Sequence, residues 1–183
     1  WNDRYQNYFL EEDVDSPYLV LHFEETVSTN LNLSDIYFLT TGHSASASEL
    51  TIIGLDPYMN VTTIGENTYG KCYGSFTFDD IEDPPRHNWA MQPLVFKYAN
   101  VEGFTDFTDG LVPDIFVEDN LFNATEFGDM ADPLLARALE EITGVSPLSR
   151  KMLPKPVDYE RLPDPLIDRK NVTISNLKLP RFK

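Results

Sequence analysis

Short apolar runs separated by small or polar residues mark the first half of the chain, and their spacing predicts strands alternating with a helix. Residues 18–23 (YLVLHF) follow a proline and are rich in β-formers, so they predict a strand. Residues 36–41 (IYFLTT) form an almost continuous apolar run, which is typical of a strand buried on both faces of an α/β sheet. Residues 44–55 (SASASELTIIGL) begin with small residues and become apolar before Pro57, which is the pattern of a capped helix. Residues 61–64 (VTTI) predict a second strand, so this part of the chain has the order of a βαβ crossover.

The second half of the chain predicts further strands and one well-marked helix. Acidic or proline-rich turns separate three further β-rich segments, residues 75–78, 91–98 and 115–117. Residues 132–143 (DPLLARALEEIT) predict a helix that is capped by its aspartate and ended by the glycine that follows it. Residues 1–15 show no clean hydrophobic period. Residues 146–183, where proline recurs, predict an extended tail.

Composition and charge narrow the classes of function. The 183 residues are 42% hydrophobic and 13% aromatic, a globular composition that suffices for one domain with its own apolar core. The net charge is −16, and because such a surface repels phosphate groups, nucleic acid is not an expected partner. The longest apolar run is far shorter than the roughly 20 residues that a spanning helix needs, so no membrane span is expected. The single cysteine, Cys72, excludes an internal disulfide and a zinc site built on cysteines.

The sharpest candidate for chemistry is the segment SASASE, residues 44–49, where a predicted strand turns into a helix. Unpaired N–H groups at a helix N-terminus can stabilise an oxyanion, and small residues let a substrate backbone approach closely. A serine hydroxyl needs a base to become a nucleophile, and a lysine can serve if burial lowers its pKa. Lys71 follows the next predicted strand, at the strand end where active sites of open α/β sheets lie. Glycines at positions 65, 70 and 74 predict that its loop packs closely against the serine turn.

The segments around these residues resemble the S41 peptidases, the family of C-terminal processing or tail-specific proteases. Residues 36–55 are similar to the family's strand, turn and nucleophile helix, and residues 61–71 (VTTIGENTYGK) to the strand and loop that carry its lysine. In that family the nucleophile is the middle serine of SASASE and the lysine follows 25 residues later, which selects Ser46 and Lys71. The likeness extends over residues 18–117 and includes MQPLVF and DGLVPDI downstream.

The resemblance implies a fold, a reaction and a role for each residue. It implies an α/β fold with a ClpP/crotonase-like catalytic core, in which residues 1–145 form the C-terminal part of the catalytic domain and residues 146–183 the tail. It implies a serine endopeptidase that hydrolyses polypeptides through an acyl-enzyme on Ser46, with neutral Lys71 as general base and the Ala47 N–H as an oxyanion donor. No cofactor or metal is expected. The likeness to secreted or envelope-associated members of Bacteroidetes-like bacteria implies a location in the cell envelope, in the periplasm or outside the cell.

The sequence departs from the family pattern at two points, and both allow an alternative to the catalytic function. Four residues after the lysine, where the family often has a glutamine that orients it, this chain has Ser75, which can still form a hydrogen bond. The Gly-rich segment that supplies an oxyanion N–H in the family is not found in the 183 residues, and neither is the PDZ domain common upstream. We therefore expect the N-terminal part of the catalytic fold to be missing, and that part to be a partner without which the chain is inactive. The alternative function is a catalytically inactive S41-like module that binds peptides or acts as a scaffold.

Several neighbouring residues have structural interpretations beside the catalytic ones. We predict that Ser44 and Ser48 are packing or capping residues and that Glu49 is a partner of the helix start. His43 is an alternative base, although the turn is expected to point it away from the nucleophile. Cys72 lies beside the candidate lysine but has no evident histidine partner, so it predicts a small strand residue rather than a reactive thiol.

Overall fold

The fold is taken from a computed structural model that describes residues 1, 3–12, 16, 19–23, 29, 31–119 and 125–147. These residues all belong to one structural unit, Trp1–Leu153. The helices and strands are, in chain order, α1 (Asp3–Glu12), β1 (Asp35–Thr40), α2 (Ala47–Leu55), β2 (Asn60–Gly65), β3 (Tyr73–Ser75), β4 (Leu94–Lys97), β5 (Ile115–Phe116) and α3 (Pro133–Thr143).

A three-stranded parallel sheet in the order β1-β2-β5 forms the frame of the fold. β1 and β2 pair along their whole lengths, from Asp35 opposite Asn60 to Thr40 opposite Gly65. α2 connects the two strands, and α3 contacts both of them. The predicted α/β fold class is therefore confirmed. Because parallel strands end at the same edge of a sheet, the turn after β1 and the loop after β2 lie side by side.

An antiparallel pair, β3 and β4, forms a second sheet that carries aromatic side chains. α1 adds further rings to this surface, because residues four apart lie on one face of a helix. Trp1 contacts both Tyr5 and Phe9, with ring centroids 5.8 and 4.8 Å apart. It also stacks on Phe76 and packs against Phe96, each at 5.3 Å. The sequence pattern of residues 1–15 did not predict this helix.

Helix α3 follows its prediction closely. The Asp132 side chain accepts a hydrogen bond from the Leu135 N–H at 2.9 Å, which satisfies one of the free amides at the helix start. Pro133 occupies the first turn, and Gly144 ends the helix with a φ of 70°. None of the described helices is long and apolar enough to cross a membrane.

Other expectations about the elements are corrected by the structure. Residues 19–23, the described part of the predicted first strand, are not in a strand, because none of the described strands pairs with them. β1 is an edge strand and is not buried on both faces, since Leu39 is 42% exposed. The strands expected at 75–78, 91–98 and 115–117 are shorter or displaced, as the bounds of β3, β4 and β5 show. Of the predicted tail, residues 148–183 lie outside the described part of the chain.

Candidate functional site

The serine turn between β1 and α2 holds one residue in a strained conformation. α2 begins at Ala47, so the N-cap is Ser46 and not Ser44. Ser46 has φ 58° and ψ −110°, a region that non-glycine residues enter at a cost of about 1–3 kcal/mol. Such strain persists where the surrounding structure enforces it, and a strained strand-to-helix turn is the setting in which α/β-hydrolases expose their nucleophilic serine.

Ser44 and His43, which precede Ser46, have the structural positions that were predicted. The Ser44 hydroxyl accepts from the Thr41 N–H at 3.0 Å, and the Ser44 carbonyl accepts from the Tyr69 N–H at 2.8 Å. Ser44 thus closes the turn and ties it to the loop after β2. His43 is exposed, and its main-chain N–H donates to the Thr41 hydroxyl at 3.2 Å.

A buried carboxylate connects the serine turn to the lysine loop. The Glu49 side chain is fully buried, with an exposed fraction of 0%. Its Oε2 atom accepts hydrogen bonds from the N–H groups of Ser46 and Lys71, both at 2.8 Å. Its Oε1 atom accepts from the Thr68 hydroxyl and from the Gly70 N–H, both at 2.6 Å. Two donors that share one acceptor oxygen lie within about 6 Å of each other, so Glu49 holds the main chains of Ser46 and Lys71 together.

The four donors explain why a carboxylate is tolerated at this buried position. Removing a carboxylate from water is costly unless hydrogen bonds replace its hydration. The positive end of the α2 dipole stabilises a negative charge in the first helical turn. The sequence predicted Glu49 as a partner of the helix start, and the bond to Ser46 confirms this. It did not predict the three bonds to Thr68, Gly70 and Lys71, because hydrogen bonds between distant loops leave no local pattern.

Close packing of the lysine loop depends on glycines at two positions. A side chain at Gly65 would overlap the carbonyl of Thr40, at the end of β1, and one at Gly70 would overlap the carbonyl of Thr108. Their φ values, 135° and 84°, lie in the region that favours glycine. None of the three glycines meets the serine turn itself, since Gly74 faces the ring of Phe96, and the loop contacts that turn through the Tyr69 N–H instead.

A tyrosine that the sequence analysis did not single out touches both candidate residues. The single hydroxyl proton of Tyr98 is shared between the main-chain carbonyls of Ser46, at 3.1 Å from the phenol oxygen, and of Lys71. Burial, with the negative charge of Glu49 adding to it, raises the pKa of Tyr98 to about 12. The hydroxyl therefore keeps its proton at neutral pH and remains a donor.

The other predicted residues take different positions around this centre. Lys71 is exposed, in contrast to the burial expected of a lysine that acts as a base. Ala47 carries the first amide of α2, which has no acceptor within the helix. Ser75 lies at a β-bulge in β3 opposite Leu94, and no hydrogen bond joins it to Lys71 in the described part of the chain. Cys72 is fully buried in the core, as expected of a structural residue, but it lies directly before β3 and not in a strand.

A cleft of about 270 Å³ opens beside the serine turn. Its walls are the last residues of β1, one face of α2, and the two serines at positions 44 and 48 that flank Ser46. The cleft is partly apolar and carries no charged side chain. Among the described residues, no three His, Cys, Asp or Glu side chains are grouped so that they could hold a metal ion.

A solved structure is similar to this chain in both fold and sequence. The crystal structure of a "Putative S41 protease" from Bacteroides fragilis matches with a TM-score of 0.55 and 31% sequence identity. The described fold resembles that of an S41 protease. The match covers 63% of this chain and 29% of the Bacteroides protein, so the chain spans less than a third of the length of that relative. No protein-family model and no curated protein matches the chain.

Proposed function

We propose that this chain carries the nucleophile and the general base of an S41-type serine endopeptidase, within the C-terminal part of a ClpP/crotonase-like catalytic domain. The observation that carries the proposal is the shared carboxylate. Glu49 binds the main-chain N–H groups of Ser46 and Lys71 through one oxygen, and Ser46 has the strained conformation of an exposed nucleophile. The likeness to an S41 protease gives this arrangement its reaction class.

The proposed reaction cleaves a polypeptide by acyl transfer. The Ser46 oxygen attacks the scissile carbonyl carbon while the neutral Lys71 amine takes the hydroxyl proton, and a tetrahedral oxyanion forms. The Ala47 N–H, at the positive end of α2, donates to that oxyanion. Lys71 then gives the proton to the departing amine, which leaves an ester on Ser46. Water, deprotonated by Lys71, hydrolyses the ester and restores the serine.

Lys71 can act as a general base only as the neutral amine, and its side chain is exposed. An exposed ammonium is well hydrated, so covering it is the direct way to favour the amine. We propose that the N-terminal part of the catalytic domain and the bound substrate cover the site. The open edge of β1 and the exposed Leu39 beside the cleft support this, because both offer surface for another segment. Location in the cell envelope, in the periplasm or outside the cell stays a prediction, and so does an orienting role for Ser75.

Covalent labelling with a fluorophosphonate tests the proposal. With the N-terminal part of the catalytic domain present, we expect the protein to gain one phosphonyl group, located on Ser46 by peptide mass spectrometry, and to degrade an unfolded protein substrate. Ser46→Ala should abolish both, and Lys71→Ala should slow both strongly, because one amine serves both proton transfers. Ser48→Ala is the matched control, since Ser48 lies two residues away, at the start of α2, and the variant should react normally.

The outcomes separate the peptidase from its alternative. Equal labelling of wild type and Ser46→Ala would contradict the assignment of the nucleophile. Saturable peptide binding by a protein that neither reacts with the phosphonate nor cleaves would support the inactive binding module instead.

A further inference from the structure

Tyr98 is fixed in place by contacts on several sides. It directly follows β4, and its N–H donates to the Cys72 carbonyl at 3.3 Å. Its own carbonyl accepts from the Thr105 hydroxyl at 2.9 Å. Its ring packs against Phe107, with the centroids 6.0 Å apart, at the edge of the core cluster that includes Ile53. The ring therefore has little freedom to move away from the serine turn.

The hydroxyl of this anchored ring reaches the two residues that Glu49 also holds. Glu49 accepts from the N–H groups of Ser46 and Lys71, whereas Tyr98 shares its one O–H proton between their carbonyl groups. Both carbonyl oxygens lie within hydrogen-bond reach of one phenol oxygen, so they are within about 6 Å of each other. The Ser46 carbonyl also accepts the first helical bond, from the Leu50 N–H at 2.8 Å. Both the N–H group and the carbonyl group of the strained Ser46 are thus held by hydrogen bonds.

We propose that Tyr98 is a positioning residue that sets the separation of Ser46 and Lys71 by holding their main-chain carbonyls. The inference rests on the proposed peptidase function and adds a residue to it. A strained φ/ψ pair persists only where its surroundings enforce it. Glu49 restrains only the N–H side of each residue, and at the Ser46 carbonyl Tyr98 adds to the helical bond from the Leu50 N–H. Rotation about ψ of Ser46 would carry the helix start, with the Ala47 N–H, away from the nucleophile. The Tyr98 hydroxyl opposes that rotation.

Tyr98→Phe tests this by removing one oxygen and leaving the ring in the core. A displacement of about 1 Å at a catalytic group can cost up to a hundredfold in rate, so we expect phosphonate labelling of Ser46 to slow about ten- to a hundredfold. In turnover of an unfolded protein, kcat should fall by a similar factor while KM changes little. Amide hydrogen exchange at Ser46 and Lys71 should become about tenfold faster. Tyr58→Phe is the control, since Tyr58 is 61% exposed, and it should leave all three readouts unchanged.

The outcomes distinguish the positioning role from the peptidase assignment. Wild type labelled on Ser46, with Tyr98→Phe labelled at the same rate, would overturn the positioning role and leave the function standing. Faster amide exchange in Tyr98→Phe without slower labelling would also overturn it, because the hydroxyl would then be structural only. A wild-type protein that does not react at Ser46, with the N-terminal part of the catalytic domain present, contradicts the proposed function, and the positioning role of Tyr98 with it.

Discussion

Replacing Glu49 by glutamine is the most direct test of the buried carboxylate, because it changes one oxygen to an NH₂ group and keeps the shape. All four hydrogen bonds to Glu49 come from donors, so the new amide nitrogen must face two of them. At the Oε2 position it would oppose the N–H groups of Ser46 and Lys71. At the Oε1 position it would oppose the Gly70 N–H and the Thr68 hydroxyl. The Thr68 hydroxyl can turn and accept from the new amide, so we expect the second orientation, in which the Gly70 N–H and the Thr68 O–H proton both lose Glu49 as their acceptor.

The magnitude follows from this arrangement. A buried amide without an acceptor costs about 1–3 kcal/mol. The two bonds to Ser46 and Lys71 survive but lose their charged acceptor, which removes about 1 kcal/mol more. Burying a neutral amide is cheaper than burying a carboxylate, and this offsets part of the loss. We therefore expect Glu49→Gln to lower the free energy of unfolding by about 2 kcal/mol.

Urea unfolding followed by tryptophan fluorescence measures this change, because Trp1 stacks on Phe76 in the folded protein. With a slope of about 2 kcal/mol per molar urea, the midpoint should fall by about 1 M at unchanged slope. Glu140→Gln is the matched control, since Glu140 lies on α3 in a partly exposed ion pair, 3.3 Å from Arg137. It should change the free energy by less than about 0.5 kcal/mol. A Glu49→Gln midpoint equal to that of the control would refute the role assigned to the carboxylate.

Three further predictions follow from the same contacts. Ser46→Gly should raise the free energy of unfolding, measured in urea, by about 1 kcal/mol, because glycine tolerates a φ of 58°. Ser46→Ala should not raise it, and equal free energies of unfolding for the two variants would contradict the strain at Ser46. Thr68→Val should lower the free energy of unfolding by about 2 kcal/mol, measured by heat or urea, because the hydroxyl donates to Glu49 and accepts from the Leu111 N–H at 2.7 Å. Thr68→Ser keeps the hydroxyl and should recover most of this loss. Because burial raises the pKa of Tyr98 to about 12, the stability that this group contributes is complete below its ordinary pKa of about 10 and is lost as the pH rises to about 12. The stability difference between wild type and Tyr98→Phe should narrow over that window in a pH series of urea titrations, and a constant difference would contradict the shift.

The sequence predicted the central part of the fold because its signals there are local. A β-branched and aromatic run, a small-residue turn and a second β-rich run specify β1, α2 and β2, and the cap and stop signals specify α3. The failures have physical causes. Residues 18–23 have the composition of a strand, but a strand forms only with a partner. Helix α1 has no clean hydrophobic period, and its signal is the four-residue spacing of Tyr5 and Phe9, which places both rings on one helix face, where Trp1 contacts them.

The candidate site was predictable in part for the same reason. Ser46 and Lys71 follow the two strands of a βαβ unit, so their neighbourhood follows from topology. Glu49 was predictable as a helix-start partner because that role depends on residues three apart. Its bonds to the lysine loop, and the contacts of Tyr98, join residues up to 52 positions apart and depend on side-chain packing that no short pattern encodes.

The 25-residue separation of Ser46 and Lys71 has a structural basis in the length of this unit. From Ser46 the chain runs away from the strand ends along α2, whose nine residues rise about 14 Å, and returns along the six residues of β2, which span about 20 Å. The turn between them makes up the difference, and the loop after Gly65 brings Lys71 over the serine turn. A small change in any of these elements would change the distance between Ser46 and Lys71. Glu49 lies in the first turn of α2 and is therefore rigidly linked to Ser46, whatever happens further along the helix. By binding the Lys71 N–H directly, it replaces a distance set by 25 residues with one set by a single side chain.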